Sequence, residues 1–159
     1  MKKFKFSLEK VLRQREITAD LAKRSFGEAQ AELNRQNDIL NEMVDVKNRS
    51  IEERRKAVET STDWANSVDQ INQFLIGQDL RITKQHLCIK EAENLVESRR
   101  EILRQAVSEV NILERLEEKQ KKAFMAEVAK AEQAEIDELT VLRFSRMENQ
   151  NKGSHEDGI

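Results

Sequence analysis

The sequence predicts an all-α fold, a long two-helix antiparallel coiled-coil hairpin with a C-terminal helical overhang. Three observations predict it. None of the 159 residues is proline and only 4 are glycine, where ordinary composition would supply roughly 5% and 7%. Tight turns need those residues for their backbone angles, which argues against sandwiches, barrels and α/β enzymes. Apolar residues recur at alternating three- and four-residue spacing through two long segments, the signature of a seam between helices. Charged residues make up 36% and aromatics only 4%, so the interior is thin.

The first helix is expected over about 7–59. Ser7 is a suitable N-cap, and Glu9 falls in the first turn, where the helix dipole favours an acid. Its stripe runs through Leu8, Leu12, Arg15, Ala19, Ala22, Phe26, Ala29, Leu33, Gln36, Leu40 and Met43. It then drifts by one position to Val44, Ile51 and Val58, as when a supercoil changes locally or a straight helix loses its seam. The short polar run Thr60-Ser61-Thr62-Asp63 breaks the pattern and makes a turn over 60–63, and Ser67 with Gln70 has the spacing of a capping box.

The second helix is expected over about 64–147. Leu75, Ile82, Ile89, Val96, Leu103 and Val110 stand seven apart, with Ile71, Ala92, Ala106 and Leu113 interleaved. That is a sustained heptad seam, continuing more weakly through Phe124, Ala131, Ala134 and Val141. Residues 1–147 then form one helical-hairpin domain, and the polar, glycine-containing stretch 148–159 is expected to be a disordered tail. A short connection makes the helices antiparallel neighbours. Folding back at about residue 62 puts residue 7 beside residue 117, so 119–147 should overhang. That overhang still carries Phe124, Val128, Ile136, Leu139, Val141, Leu142 and Phe144, a large apolar load for a lone helix.

No catalytic constellation is present, and the expectation is a non-enzyme with no cofactor and no metal. Cys88 is the lone cysteine, which excludes a disulfide framework and a Cys-cluster zinc site. His86 is two residues away, and side chains so spaced on a helix diverge; Cys88 is read as a small residue whose burial stays open, and His155 falls in the tail. Gly27 and Gly77 stand alone in helix, so no phosphate loop forms; they either permit close packing or weaken the helix locally. Acid pairs such as Glu52-Glu53, Glu117-Glu118 and Asp137-Glu138 lack a concave pocket and read as solvated faces. No apolar run reaches roughly 18 residues, and no secretory signal is legible at the start, so a cytoplasmic protein without a transmembrane segment is expected. Net charge is −2, yet residues 1–24 hold eight Lys/Arg against three acids, a locally basic start.

The two ends of the chain carry a pattern. Near the start stand Phe4, Phe6, Leu8, Val11, Leu12, Arg15 and Glu16. Near the end stand Glu114, Arg115, Leu116 and Lys119, then Glu132, Gln133, Asp137 and Glu138, with Arg143 and Arg146 after them. Trp64 at the turn and Phe74 add aromatics. Taken with the hairpin and the missing prolines, this resembles the FliJ family of flagellar export proteins over about residues 3–147. The resemblance implies an antiparallel coiled coil similar to the central stalk, the γ subunit, of rotary ATPases. It implies a non-catalytic component of the flagellar type III export apparatus, helping to couple the export ATPase to the export gate. The implied partners are the hexameric ring of the export ATPase FliI, engaged by the end bearing both termini, the export gate protein FlhA, and export chaperones. The implied place is cytoplasmic, peripheral at the inner membrane near the flagellar basal body.

Candidate residues follow from the hairpin geometry read with this resemblance. For the ATPase they are Arg13, Arg15, Phe124, Val128, Asp137, Glu138 and Arg143, with Lys2, Lys3 and Lys5 adding positive charge. The competing reading is that Phe124 and Val128 continue the intramolecular seam. For the gate protein they are Gln36, Leu40, Met43, Lys47, Phe74, Gln78 and Gln85, which the fold-back brings abreast. The competing reading there is that polar seam residues set helix register. Three other functional readings stay open on residues alone. One is a generic coiled-coil scaffold, a homodimer among its forms. Another is the stalk of a non-flagellar type III system. A third is nucleic-acid binding through Phe4 and Phe6 set between lysines, against which the slightly acidic chain argues.

Overall fold

A computed structural model describes residues 3–60 and 62–153, with side chains described as far as Met147. The chain forms two helices, α1 over Glu9–Thr60 and α2 over Trp64–Gly153. Both run unbroken because no proline interrupts the main-chain hydrogen bonds and because exposed ion pairs lie one turn apart along their surfaces. Arg35 pairs with Glu32 at 2.7 Å, Arg55 with both Glu52 and Glu59 at 2.8 and 2.7 Å, and Arg104 with Glu101 at 2.7 Å. Two guanidinium bonds from Arg35 and one from Gln36 hold the Glu32 carboxyl far below its ordinary value, at about 2.

The chain divides into two compact units. One comprises residues 13–110 and the other residues 1–12 with 111–159. In the first, the two helices pack antiparallel. The α2 seam lies where the heptads put it: Leu75, Ile89, Val96 and Ala106 are buried, and Ile71, Ile82, Ala92, Leu103 and Val110 are half-buried. Facing them on α1 are buried Ala22 and Ala29 and half-buried Ala19, Phe26, Leu33, Leu40 and Met43. Arg15 meets Glu109 at 2.8 Å, a pair that a fold-back at residue 62 sets abreast. The Arg100 guanidinium lies 5.9 Å from the centre of the Phe26 ring.

The drift expected late in α1 does not occur. Lys47, Ser50, Arg54 and Ala57 continue the seam as half-buried residues, while Val44, Ile51 and Val58 are exposed. The α2 heptads opposite are strict, so the partner stripe cannot step sideways. Long polar side chains fill it by laying their stems on the seam and sending their heads to its edge. Lys47 reaches Asp79 at 2.7 Å, and Arg54 donates to Asn72 at 3.0 Å.

The helix ends also differ from expectation. α1 begins at Glu9, with Ser7 and Leu8 in a turn before it, and Glu9 N–H donating to the Phe6 carbonyl at 3.4 Å. α2 begins at Trp64, so Ser67 lies within its first turn and is not an N-cap. Its hydroxyl donates to the Asp63 carbonyl at 3.4 Å, and the Asn66 amide donates to the Asp63 carboxylate at 3.1 Å. Asp63 thus places its charge at the positive end of α2. At the other end α2 passes the expected boundary at Met147 and is described as far as Gly153; residues 154–159, with His155, and likewise Ser61 and Lys2, lie outside the described residues.

Both helical glycines look out on open space. A Cβ built on Gly27 or Gly77 meets nothing within 4 Å, so close packing does not account for either. Each only raises the conformational entropy that helix formation must overcome. Gly27→Ala and Gly77→Ala are each expected to raise unfolding free energy by about 1 kcal/mol, measured by urea titration followed by circular dichroism; a loss of stability in either would contradict the open surroundings.

Candidate functional site

The unit formed by residues 1–12 and 111–159 contains a partly enclosed groove. Residues 3–6 are not helical, and an extended chain advances roughly 3.3 Å per residue against 1.5 Å in a helix. This start therefore reaches further along α2 than a helical one would. Phe6 is 4% exposed, and the Phe4 and Phe124 rings sit 5.8 Å apart at 50°. A groove of about 900 Å³ opens beside the ring pair, lined by Lys3, Phe4, Phe124, Met125, Val128, Ala131, Glu132 and Glu135. The overhang consequently begins about ten residues later than the expected 119. Gln120, Phe124 and Val128 are half-buried, and every residue from Ala129 to Met147 is exposed.

That exposed stretch keeps its apolar side chains. Ile136 and Leu142 are more than half exposed, and Phe144 and Met147 are each 70% exposed. Runs of this kind on a helix without a neighbour mark contact surfaces. Of the residues expected to meet the ATPase, Phe124 and Val128 line the groove. Asp137, Glu138 and Arg143 lie further along α2 and are exposed, with the Gln133 amide donating to Asp137 at 2.8 Å. Arg13 and Arg15 belong to the other unit, and Arg15 is engaged by Glu109. Met125, Glu132 and Glu135 were not among the expected contacts. The signal for the two acids was the helical spacing from Phe124 through Val128 to Glu132 and Glu135, which sets them on the face of the ring.

The candidate gate residues lie in the first unit, and most turn inward. Gln78 is 4% and Gln85 7% exposed. The Gln78 amide donates to the Met43 main-chain carbonyl at 2.9 Å, and its own oxygen accepts from Arg81 at 3.0 Å. The Gln85 amide donates to the Gln36 main-chain carbonyl at 2.8 Å and to the Gln36 side-chain oxygen at 2.7 Å. The Gln36 amide in turn donates to Glu32 at 2.6 Å. Leu40 and Met43 are half-buried in the seam, and Lys47 is tied to Asp79. Phe74 is the member that faces outward, 39% exposed, with the Arg81 guanidinium 5.9 Å from its ring centre. The arrangement is that of a polar lock within an apolar seam.

No group of three or more His, Cys, Asp or Glu side chains is placed to hold a metal ion among the described residues. Cys88, whose burial the residues left open, is exposed. No described helix is long and apolar enough to cross a membrane.

The glutamine lock can be tested directly. Gln85→Ala deletes both bonds to Gln36 and should lower unfolding free energy by about 1–3 kcal/mol. Gln85→Leu restores an apolar heptad residue and should cost less than the alanine variant. Urea unfolding of the two variants checks the order; equal losses would mean that packing alone matters at this position.

Comparison with known proteins gives one match. The family model described as "Flagellar FliJ protein" matches residues 4–149. No curated protein matches the chain, and no solved structure does.

Proposed function

The chain belongs to the flagellar FliJ protein family, and from that premise we propose that it couples the ring of the export ATPase FliI to the export gate protein FlhA. In this reading it is a non-catalytic part of the flagellar export apparatus. It works in the cytoplasm at the inner membrane beside the basal body and assists delivery of export chaperones.

The observation that supports an ATPase contact is the uncovered length of α2 after Val128. A helix that exposes Ile136, Leu139, Leu142 and Phe144 gains by burying them, at roughly 25 cal/mol per Å² of apolar surface. The groove at Phe4 and Phe124 adjoins it in the same unit. Asp137, Glu138 and Arg143 supply charge on the same stretch, which favours orientation and encounter more than raw affinity. For the gate protein the support is Phe74. It is an outward aromatic beside a cation, on a surface held rigid by the glutamine lock. Interface energy concentrates in such anchors.

Two measurements test these assignments. Removing residues 129–153 should abolish stimulation of purified FliI ATPase turnover while leaving the helical signal of residues 13–110 intact. Stimulation unchanged by that deletion would remove the ATPase assignment from α2. Phe74→Ala should weaken binding to the cytoplasmic domain of FlhA at least tenfold, the scale of a hot-spot aromatic, in a calorimetric titration. Unchanged gate binding would place the docking face elsewhere.

A further inference from the structure

The charges on the exposed end of α2 are arranged unlike those elsewhere in the molecule. Along both helices, acids and bases pair with neighbours three or four residues away, as in Glu97 with Arg100, Glu101 with Arg104 and Glu118 with Lys122. From Ala129 to Met147 no acid has a base three or four residues away. Glu132 and Glu135 have no base three or four residues away, and Arg143 and Arg146 have no acid. The acids Glu132, Glu135, Asp137 and Glu138 precede Leu139, and Arg143 and Arg146 follow it. A helix so segregated cannot satisfy its charges within itself at helical spacing.

A second copy running antiparallel would satisfy them. Placing a two-fold axis at Leu139 sets Glu135 opposite Arg143 and Glu132 opposite Arg146. By the same symmetry Arg143 and Arg146 meet Glu135 and Glu132 of the second copy, so four charge pairs form. The apolar residues match in the same register. Leu139 meets its own counterpart, Ile136 meets Leu142, and Met147 meets Ala131. Moving the axis to residue 138 sets Arg146 opposite Lys130, and moving it to residue 140 sets Glu132 opposite Glu148, so neither keeps the four pairs. Leu139, Ile136 and Leu142 share a face with the acids and bases at this spacing, and all are exposed.

The groove supplies a second observation. Ala131, Glu132 and Glu135 are part of its lining, with Phe4, Phe124 and Val128. The same axis lays Met147 of the second copy on Ala131, at the groove, with Arg146 and Arg143 of that copy beside the groove acids. Methionine suits such an irregular apolar slot.

We propose that two copies of this chain associate antiparallel through residues 131–147 about an axis at Leu139. The contact is isologous, as a two-fold demands. It spans roughly five helical turns per copy, so affinity is modest. The pairing covers the surface assigned above to the ATPase, and the two therefore exclude one another. It stands apart from that assignment, because its test uses the purified chain alone.

Sedimentation equilibrium from about 1 to about 100 µM, the range fitting so short a contact, should show mass rising from 18.5 kDa toward the dimer. R143E/R146E and E132R/E135R each turn all four pairs into like-charge contacts and should raise the dissociation constant on the order of tenfold or more. An equimolar mixture of these two variants restores every pair and should associate at least as tightly as the original chain. In a Cys88→Ser background, Leu139→Cys should be joined to its own counterpart by a short bis-maleimide, and Val141→Cys, on the opposite face, should not. A chain that stays at 18.5 kDa throughout overturns the proposal. So does reversal without effect, a mixture that fails to associate, or equal cross-linking at the two positions.

Discussion

Register is the constraint on which the rest of the molecule depends, and two buried amides hold it. An apolar heptad seam attracts its partner helix strongly but indifferently, since a slide of one heptad meets similar side chains. Gln78 and Gln85 remove that indifference. Each donates to a main-chain carbonyl of α1, at Met43 and at Gln36, and the Gln85 amide also donates to the Gln36 side-chain oxygen, a bond that a slide of one heptad would break. An unpaired buried amide costs about 1–3 kcal/mol, and among the described residues no buried side-chain nitrogen or oxygen lacks a partner. With register fixed, Arg15 meets Glu109, Lys47 meets Asp79 and Arg54 meets Asn72, and Phe74 is left facing outward.

Much of this was legible in the residues, and where it was not the reasons are physical. The α2 seam could be read because its heptads are strict from Ile71 to Leu113. The late part of α1 misled because Val44, Ile51 and Val58 resemble a displaced stripe. Hydrophobicity alone does not say that Lys47 and Arg54 can cover a seam with their stems. The fold-back register was legible from the position of the turn. The reach of the N-terminal segment was not, because helical arithmetic undercounts an extended start.

The candidate surface followed the same pattern. Phe124 and Val128 announced themselves as apolar residues beyond the expected pairing. The competing reading, that they continue the intramolecular packing, also holds for them in part, since Phe4 lies against Phe124 and Val128 is half-buried. Arg15 was placed both on the α1 stripe and among the ATPase contacts, and its partner Glu109, distant in sequence, was not legible. The family match over 4–149 covers both terminal motifs and the heptads between them. It also sets the generic scaffold and nucleic-acid readings aside.

The extended start has a mechanical meaning. Tension along either helix is borne by main-chain hydrogen bonds acting together, turn after turn. Residues 3–6 are fastened otherwise, by Phe6 in its buried seat and by Phe4 against Phe124. A ring contact of that kind contributes about 0.5–1.5 kcal/mol beyond the surface it buries. Traction on residues 3–6 therefore loads these fastenings in peel, one ring after another. Lifting Phe4 from Phe124 would open the groove at its rim without breaking a main-chain hydrogen bond of either helix.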